Sequence, residues 1–137
     1  MTTPGQPLQD PAEAFALLAA WDAQSKDQVA RARAVGAAVE SVRVTEWSPG
    51  REVAVTLDHA GLLVDVEFTE RALAASPLSL GLTITSTVRR ATARLLVDVE
   101  EAVTAAVGAD DPLGRSAVQH YRTSLLAASG AGERSAR

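Results

Sequence analysis

Alternating apolar and polar positions in the middle of the chain predict a small antiparallel sheet. They form three runs, about Val42–Trp47, Arg51–Asp58 and Leu62–Thr69, separated by turns that contain glycine. A period of two with such turns is typical of a meander that buries one face. On the third run we expect that face to carry four apolar side chains, namely Leu62, Val64, Val66 and Phe68.

Apolar residues at helical spacing predict a long helix on each side of this sheet. The first runs from an N-cap at Asp10 to Glu40, about 45 Å at 1.5 Å per residue. The second begins at Ser76-Pro77 and ends at Gly108. Its segment LTITSTV is β-branched and has the propensity of a strand. The helical spacing continues through the segment, however, and therefore favours a helix.

A third, shorter helix is predicted from Asp111-Pro112 to about residue 129. The sequence therefore predicts an α+β, two-layer domain over residues 10–108 in the order α-β-β-β-α, followed by this additional C-terminal helix. Residues 1–9 are predicted to be a flexible leader and residues 130–137 a disordered tail.

The first helix carries an apolar seam that the predicted sheet is too short to cover. Strands of eight residues span roughly 26 Å, and the helix is nearly twice as long. We expect the uncovered part of the seam to pair with a second copy in a homodimer. A monomer with the helix folded back at Gly36 is the alternative. The predicted dimer-interface residues are Leu18, Trp21, Val35 and Val39.

Composition narrows the class of protein. The 137 residues carry a formal net charge of −4, which argues against a histone-like polycation but leaves room for a local basic patch. The chain has no cysteine, which excludes disulfides and thiolate metal sites and fits a reducing cytoplasm. The sequence shows no signal peptide and no run of the roughly 20 apolar residues that a membrane span needs, so no membrane partner is expected.

The sequence offers no constellation that suggests catalysis. His59 and His120 lie far apart in the chain, and there is no nucleophile motif, phosphate-binding glycine loop or zinc-binding helix motif. The acidic residues of segment 98–111 are more typical of a solvated helix face and a helix cap than of a cation site. We therefore expect no enzyme activity, no cofactor and no metal.

Arginines are the remaining candidates for function. The segment 71–97 contains no acidic residue, whereas the segment 98–111 carries five acids and no base. Guanidinium groups suit phosphate oxygens, so one hypothesis is binding of double-stranded DNA without base readout. The alternative is that the arginines form i,i+4 pairs and interface salt bridges. The candidate DNA contacts are Arg31, Arg33, Arg89, Arg90 and Arg94.

The order of these segments resembles the YbaB/EbfC family of nucleoid-associated proteins. The resemblance covers roughly residues 12–107, about two thirds of the chain. It rests on four features in this order: a strand with alternating valines, a turn with glycine, a following strand and a short segment that closes the pattern. In this chain they are Val53-Ala54-Val55-Thr56-Leu57-Asp58, Gly61-Leu62, Val66-Glu67-Phe68 and Arg71-Ala72-Leu73. It implies a tweezers-like homodimer that binds DNA with little sequence preference in the cytoplasmic nucleoid.

The chain departs from the family pattern at several places. The glycine-rich segment before the second strand is reduced to Ser48-Pro49-Gly50, and the usual Asp-Pro after the third strand is Thr69-Glu70. Lysine-rich helix ends are missing, and a C-terminal helix is added. Divergent relatives of this kind accompany type VII secretion systems. The second hypothesis is therefore a protein-interaction scaffold that has lost DNA binding.

Overall fold

Within residues 10–135, the α-helices and the three-stranded sheet occur in the order that the sequence predicts, and a short 3-10 helix is present in addition. The computed structural model describes residues 10–135, with side chains described for 10–128. The elements are α1 (Pro11–Glu40), β1 (Val44–Trp47), β2 (Val53–Leu57), β3 (Leu63–Phe68), a 3-10 helix (Glu70–Ala74), α2 (Pro77–Val107) and α3 (Pro112–Ser135). The predicted α+β class is confirmed. The leader predicted over residues 1–9 lies outside the described residues.

The chain divides into two compact units. The first ends at Arg33, and its described part is the N-terminal portion of α1. Every side chain from residue 10 to residue 33 is exposed except Ala14, which is half-buried. The second unit begins at Ala34 and contains the last turns of α1, the sheet, α2 and α3.

Local capping sets where the helices begin. Asp10 Oδ1 accepts a hydrogen bond from the Ala12 amide at 3.0 Å, and Ser76 Oγ accepts one from the Ser79 amide at 3.2 Å. Asp111 does the same for Gly114 at 3.0 Å. Each bond satisfies an amide of the first turn that has no partner within the helix, so the predicted N-terminal boundaries are confirmed.

One face of the helix α2, formed by every fourth residue, covers the sheet. The side chains of this face have at most 2% of their surface exposed, and they are Thr87, Ala91, Leu95, Val99 and Val103. Repeats of four keep these residues on one side of a helix, and their burial outweighs the strand propensity of LTITSTV. The prediction of a helix through this segment is confirmed.

The sheet has the order β1-β2-β3, and both pairings are antiparallel. The central strand β2 is the most buried, with Val53, Val55 and Leu57 all at 0% exposure. Val44 on β1 pairs with Leu57 and joins it in the core. The predicted meander and its turns are confirmed.

The predicted apolar face of β3 is confirmed for Val66 and Phe68, which stand opposite Val55 and Val53, but it is wrong at the start of the strand and in its extent of burial. The register shifts between Thr56 and Leu57, so that Thr56 pairs with Asp65 but Leu57 pairs with Leu63. Since one extra residue reverses the alternation, Leu63 takes the place opposite Leu57 that was expected of Leu62 or Val64. The strand is also largely uncovered, because α2 packs against β1 and β2 and makes few contacts with β3.

The helix α3 packs on α2 and on the turn between β2 and β3. The Tyr121 hydroxyl donates a hydrogen bond to the His59 carbonyl. Leu125 is 8% exposed and lies against Gly61, whose φ of +81° suits glycine. Residues 130–135, which the sequence assigned to a disordered tail, continue the helix to Ser135.

Candidate functional site

Two of the five arginines that the sequence suggests as DNA contacts, Arg90 and Arg94, form ion pairs with the sheet. Arg90 Nη2 lies 2.8 Å from Oε1 of Glu46, and Arg94 Nη1 lies 3.4 Å from Oε2 of the same carboxylate. Glu46 stands on β1 opposite Val55, and its side chain is only 16% exposed. The two guanidinium groups therefore connect α2 to β1 and neutralise a largely buried acid.

Backbone and helix contacts extend this arginine clamp, which we define as Glu46, Arg90 and Arg94. Arg90 Nη1 donates to the Trp47 carbonyl and Arg94 Nη1 to the Thr45 carbonyl, both at 3.4 Å. Arg94 Nε also lies 3.8 Å from Asp98, one turn further along α2. These contacts agree with the alternative hypothesis, in which the arginines form ion pairs within the protein.

The other three candidate arginines are spread over both units. Arg31 forms an i,i+4 ion pair with Asp27 at 3.1 Å. Arg33 is exposed in the same unit, and Arg89 is exposed on α2. The charge of Arg31 is thus balanced within its own helix, and the five candidates are divided between the two units.

Sequence reasoning missed the partner of the clamp because Glu46 lies 44 residues from Arg90. One signal could have found it. Glu46 follows Val44 at a spacing of two on a strand whose alternate residues face the core, so an acid at that place needs a cation nearby. The acid-free stretch of α2 supplies that cation.

The four predicted dimer-interface residues fall into two pairs. Leu18 and Trp21 are 56% and 58% exposed, as an interface would require of a single chain. Val35 is 6% exposed and belongs to the core of the second unit, and Val39 is partly buried against that core. The last turns of α1 pack within their own chain, so this pair cannot also meet a second copy without repacking.

The second unit also leaves large apolar side chains uncovered. Leu73 in the 3-10 helix is 87% exposed, and Leu78 and Leu82 on α2 are 76% and 65% exposed. Phe68 at the end of β3 is 53% exposed. Single exposed leucines are ordinary, but four large apolar side chains exposed by more than half within fifteen residues of sequence are unusual.

The tip of the hairpin between β1 and β2 is held by one buried hydroxyl. Ser48 Oγ donates to the Glu52 carboxylate at 2.6 Å and accepts from the Glu52 amide at 3.0 Å. The hydrogen bond from Ser48 lowers the pKa of Glu52. Arg51 follows in the left-handed region at φ +57°, with its guanidinium 5.2 Å from the centre of the Trp47 ring. The arrangement fixes the turn.

A shallow groove of about 380 Å³ lies between α2 and α3. An ion pair between Arg122 and Glu100, at 3.1 Å, crosses it. Both partners are about half exposed. This ion pair connects α2 to α3 across the groove.

Among the described side chains, which belong to residues 10–128, no cluster of three or more histidine and acidic residues could hold a metal ion. Within the same described range, no helix is both long and apolar enough to cross a membrane.

No protein-family model and no curated protein sequence matches this chain. The resemblance to the YbaB/EbfC family therefore rests on the segments quoted above, and family membership stays a hypothesis.

Proposed function

We propose that this chain is a non-catalytic protein-interaction module that acts as a homodimer. The observation that carries the proposal is the exposure of apolar side chains on the described part of the first unit. Phe15 is 73% exposed, and Leu18 and Trp21 are each exposed by more than half. Most helical stability in proteins comes from packing of an apolar face, and residues 10–33 lack such packing in the single chain because all but one of their side chains are exposed.

Ion pairs within α1 do not replace that packing. Lys26 and Asp22 lie 3.0 Å apart, and Arg31 and Asp27 lie 3.1 Å apart. All four side chains are at least half exposed, so each pair contributes only about 0.3–0.5 kcal/mol. A partner that covers Leu18 and Trp21 stabilises the helix by more than both pairs together.

The test compares molar mass by light scattering for the wild-type chain and for the double variant Leu18→Glu, Trp21→Glu. We expect a dimer for the wild type and a shift toward monomer for the variant. Ala20→Glu is the matched control, since residue 20 lies on another face of the same helix. A wild-type chain that stays monomeric at high concentration would refute the proposal.

Binding of double-stranded DNA at the nucleoid is the second candidate function. It is favoured by the absence of acids from segment 71–97 and by the family resemblance. The arginine clamp weakens it, because Arg90 and Arg94 share the carboxylate of Glu46. Arg33 and Arg89 are therefore the better residues for a charge-reversal test, since changing Arg90 would also disturb the packing of α2 on β1.

Fluorescence anisotropy of a labelled duplex at low and at moderate salt separates the two candidates. DNA binding predicts an affinity that falls steeply with salt and falls further in Arg33→Glu, Arg89→Glu. The interaction-module proposal predicts no saturable binding at either salt concentration.

A further inference from the structure

The two edges of the sheet differ in whether their backbone groups already have partners. On the β1 edge, the Thr45 carbonyl accepts a hydrogen bond from Arg94 Nη1 and the Trp47 carbonyl accepts one from Arg90 Nη1, both at 3.4 Å. The arginine clamp therefore occupies the carbonyls that another strand would need. A strand could pair along β1 only by displacing the clamp.

The other edge is β3, and its backbone groups are open. Within residues 10–135, β2 is its one neighbour in the sheet. The Thr69 amide donates to the Glu52 carbonyl at 2.9 Å, which sets the alternation of the β2–β3 ladder. In an antiparallel pair, every second residue turns its N–H and C=O away from the neighbouring strand. On β3 these residues are Val66 and Phe68, so both present a donor and an acceptor to an added strand.

The β3 edge is also accessible. Every residue from Leu63 to Phe68 is exposed except Val66, which is half-buried, and α2 makes few contacts with this strand. Phe68 is 53% exposed and Val64 is 43% exposed. Strand edges are usually kept very short or covered by another element, whereas β3 is six residues long and largely uncovered.

Two acids give this edge a preference for basic partners. Asp65 and Glu67 are both exposed, and because they stand two residues apart, their side chains share one face of the strand. Neither carboxylate forms an ion pair with any side chain described for residues 10–128. Val66 and Phe68 place their side chains on the opposite face. A strand added to β3 therefore meets an acidic row on one face and an apolar row on the other.

We infer that the β3 edge binds an extended segment of another protein, in which basic and apolar residues alternate. Main-chain hydrogen bonds to Val66 and Phe68 hold this segment as a fourth strand. Its basic side chains lie beside Asp65 and Glu67, and its apolar side chains continue the row of Val66 and Phe68. The inference goes beyond the proposed homodimer, because it concerns a surface of the second unit and a different partner.

A second copy of the chain fits this edge poorly. Two β3 strands side by side would bring Asp65 and Glu67 close to the same acids of the other copy, and like charges on adjacent strands are destabilising. Pairing of β3 with β1 of another copy would require the carbonyls that Arg90 and Arg94 occupy. The acids therefore disfavour self-assembly through the edge and select a basic strand.

The first experiment adds a synthetic peptide, Thr-Val-Lys-Val-Lys-Val-Thr with blocked termini, to the isotopically labelled chain and follows amide hydrogen exchange by NMR. We expect saturable binding and slower exchange at the outward amides of Val66 and Phe68, with little change at Glu67, whose amide already faces β2. No saturable binding, or slower exchange only at other sites, would overturn the inference. Slow exchange at both outward amides in concentrated protein without peptide would overturn it too, because a second copy would then occupy the edge.

Matched controls separate strand pairing from general charge attraction. The peptide Thr-Val-Val-Val-Lys-Lys-Thr has the same composition without the alternation and should bind more weakly. The variant Asp65→Asn, Glu67→Gln should bind the alternating peptide about fivefold more weakly, whereas Glu101→Gln, an exposed change on α2, should bind it like wild type. Equal binding of the two peptides, or of the two variants, would contradict the inference. The variant Leu18→Glu, Trp21→Glu should keep peptide binding, so that failure of the proposed homodimer and failure of this inference are distinguishable.

Discussion

The Glu46 carboxylate on β1 accepts a hydrogen bond from the Arg90 guanidinium on α2, with Oε1 and Nη2 2.8 Å apart. With Arg94 on its other oxygen, Glu46 fixes how α2 lies on the sheet. Two of the five arginines that the sequence suggests for DNA binding thus have a structural role. This is one reason why we propose an interaction function for the apolar surface that the described chain leaves uncovered.

The arginine clamp should contribute measurably to stability. Replacing Glu46 by glutamine removes the charge that both guanidinium groups share, and we expect a loss of about 1 kcal/mol in the free energy of unfolding. Bonds to charged groups contribute more than this when buried, but both arginines are about half exposed. Urea denaturation measures the loss. Glu67→Gln, an exposed change on β3, should unfold like wild type.

Any side chain at residue 61, in the turn between β2 and β3, should lower the stability of the protein. Gly61 has a φ of +81°, and an added Cβ would stand 2.5 Å from Leu125 Cδ1. We expect Gly61→Ala to cost about 2 kcal/mol or more, from backbone strain and from overpacking. Gly36→Ala should do the opposite and stabilise the protein by about 0.5–1 kcal/mol, because Gly36 is helical with an open Cβ position. Thermal unfolding of the two variants measures these effects. If both changes were neutral, the result would contradict the account.

The stability that Tyr121 contributes by holding α3 on the turn between β2 and β3 should depend on pH in the alkaline range. Burial, with a smaller effect of Asp58, raises the pKa of Tyr121 above its ordinary value of 10.0. The folded state therefore holds the phenol proton more tightly than the unfolded state does. The stabilisation is fully present below about pH 10 and is lost as pH rises through the folded pKa.

Tyr121→Phe removes both the titration and the hydrogen bond to the His59 carbonyl. We expect it to lower stability by about 0.5–1.5 kcal/mol at neutral pH and to flatten the alkaline decline. Unfolding free energies measured across the alkaline range test this. An unchanged alkaline slope in the variant would mean that another group causes the decline.

The stability that the tip of the hairpin between β1 and β2 contributes should depend on pH in the acidic range. The pKa of Glu52 is lowered, chiefly by the Ser48 hydroxyl, so the stabilisation is present above the unfolded pKa of about 4.3 and is lost as pH falls through the folded pKa. Ser48 is 2% exposed, and Ser48→Ala leaves the amides of Glu52 and of the fully buried Val53 without its hydroxyl oxygen. We expect a cost of about 1–3 kcal/mol at neutral pH and a weaker acid dependence. Chemical denaturation at neutral and acidic pH measures both effects.

Local signals in the sequence predict the helices well because the causes are themselves local. Asp10, Ser76 and Asp111 cap helices with their own side chains, and the repeat of four along α2 records which face is buried. The face of β3 could not be predicted, because a register shift and the position of α2 decide it. The burial of Val35 and the pairing of Glu46 with Arg90 are contacts between distant parts of the chain. Periodicity can mark Val35 and Glu46 as facing inward, but it does not name their partners.

Sedimentation equilibrium of the intact chain at low salt and at high salt tests the central claim most directly. Self-association through apolar side chains predicts a species of twice the 14.3 kDa chain mass that persists when salt screens surface charges. A species of 14.3 kDa throughout would contradict the claim, and so would a dimer that dissociates as salt is raised.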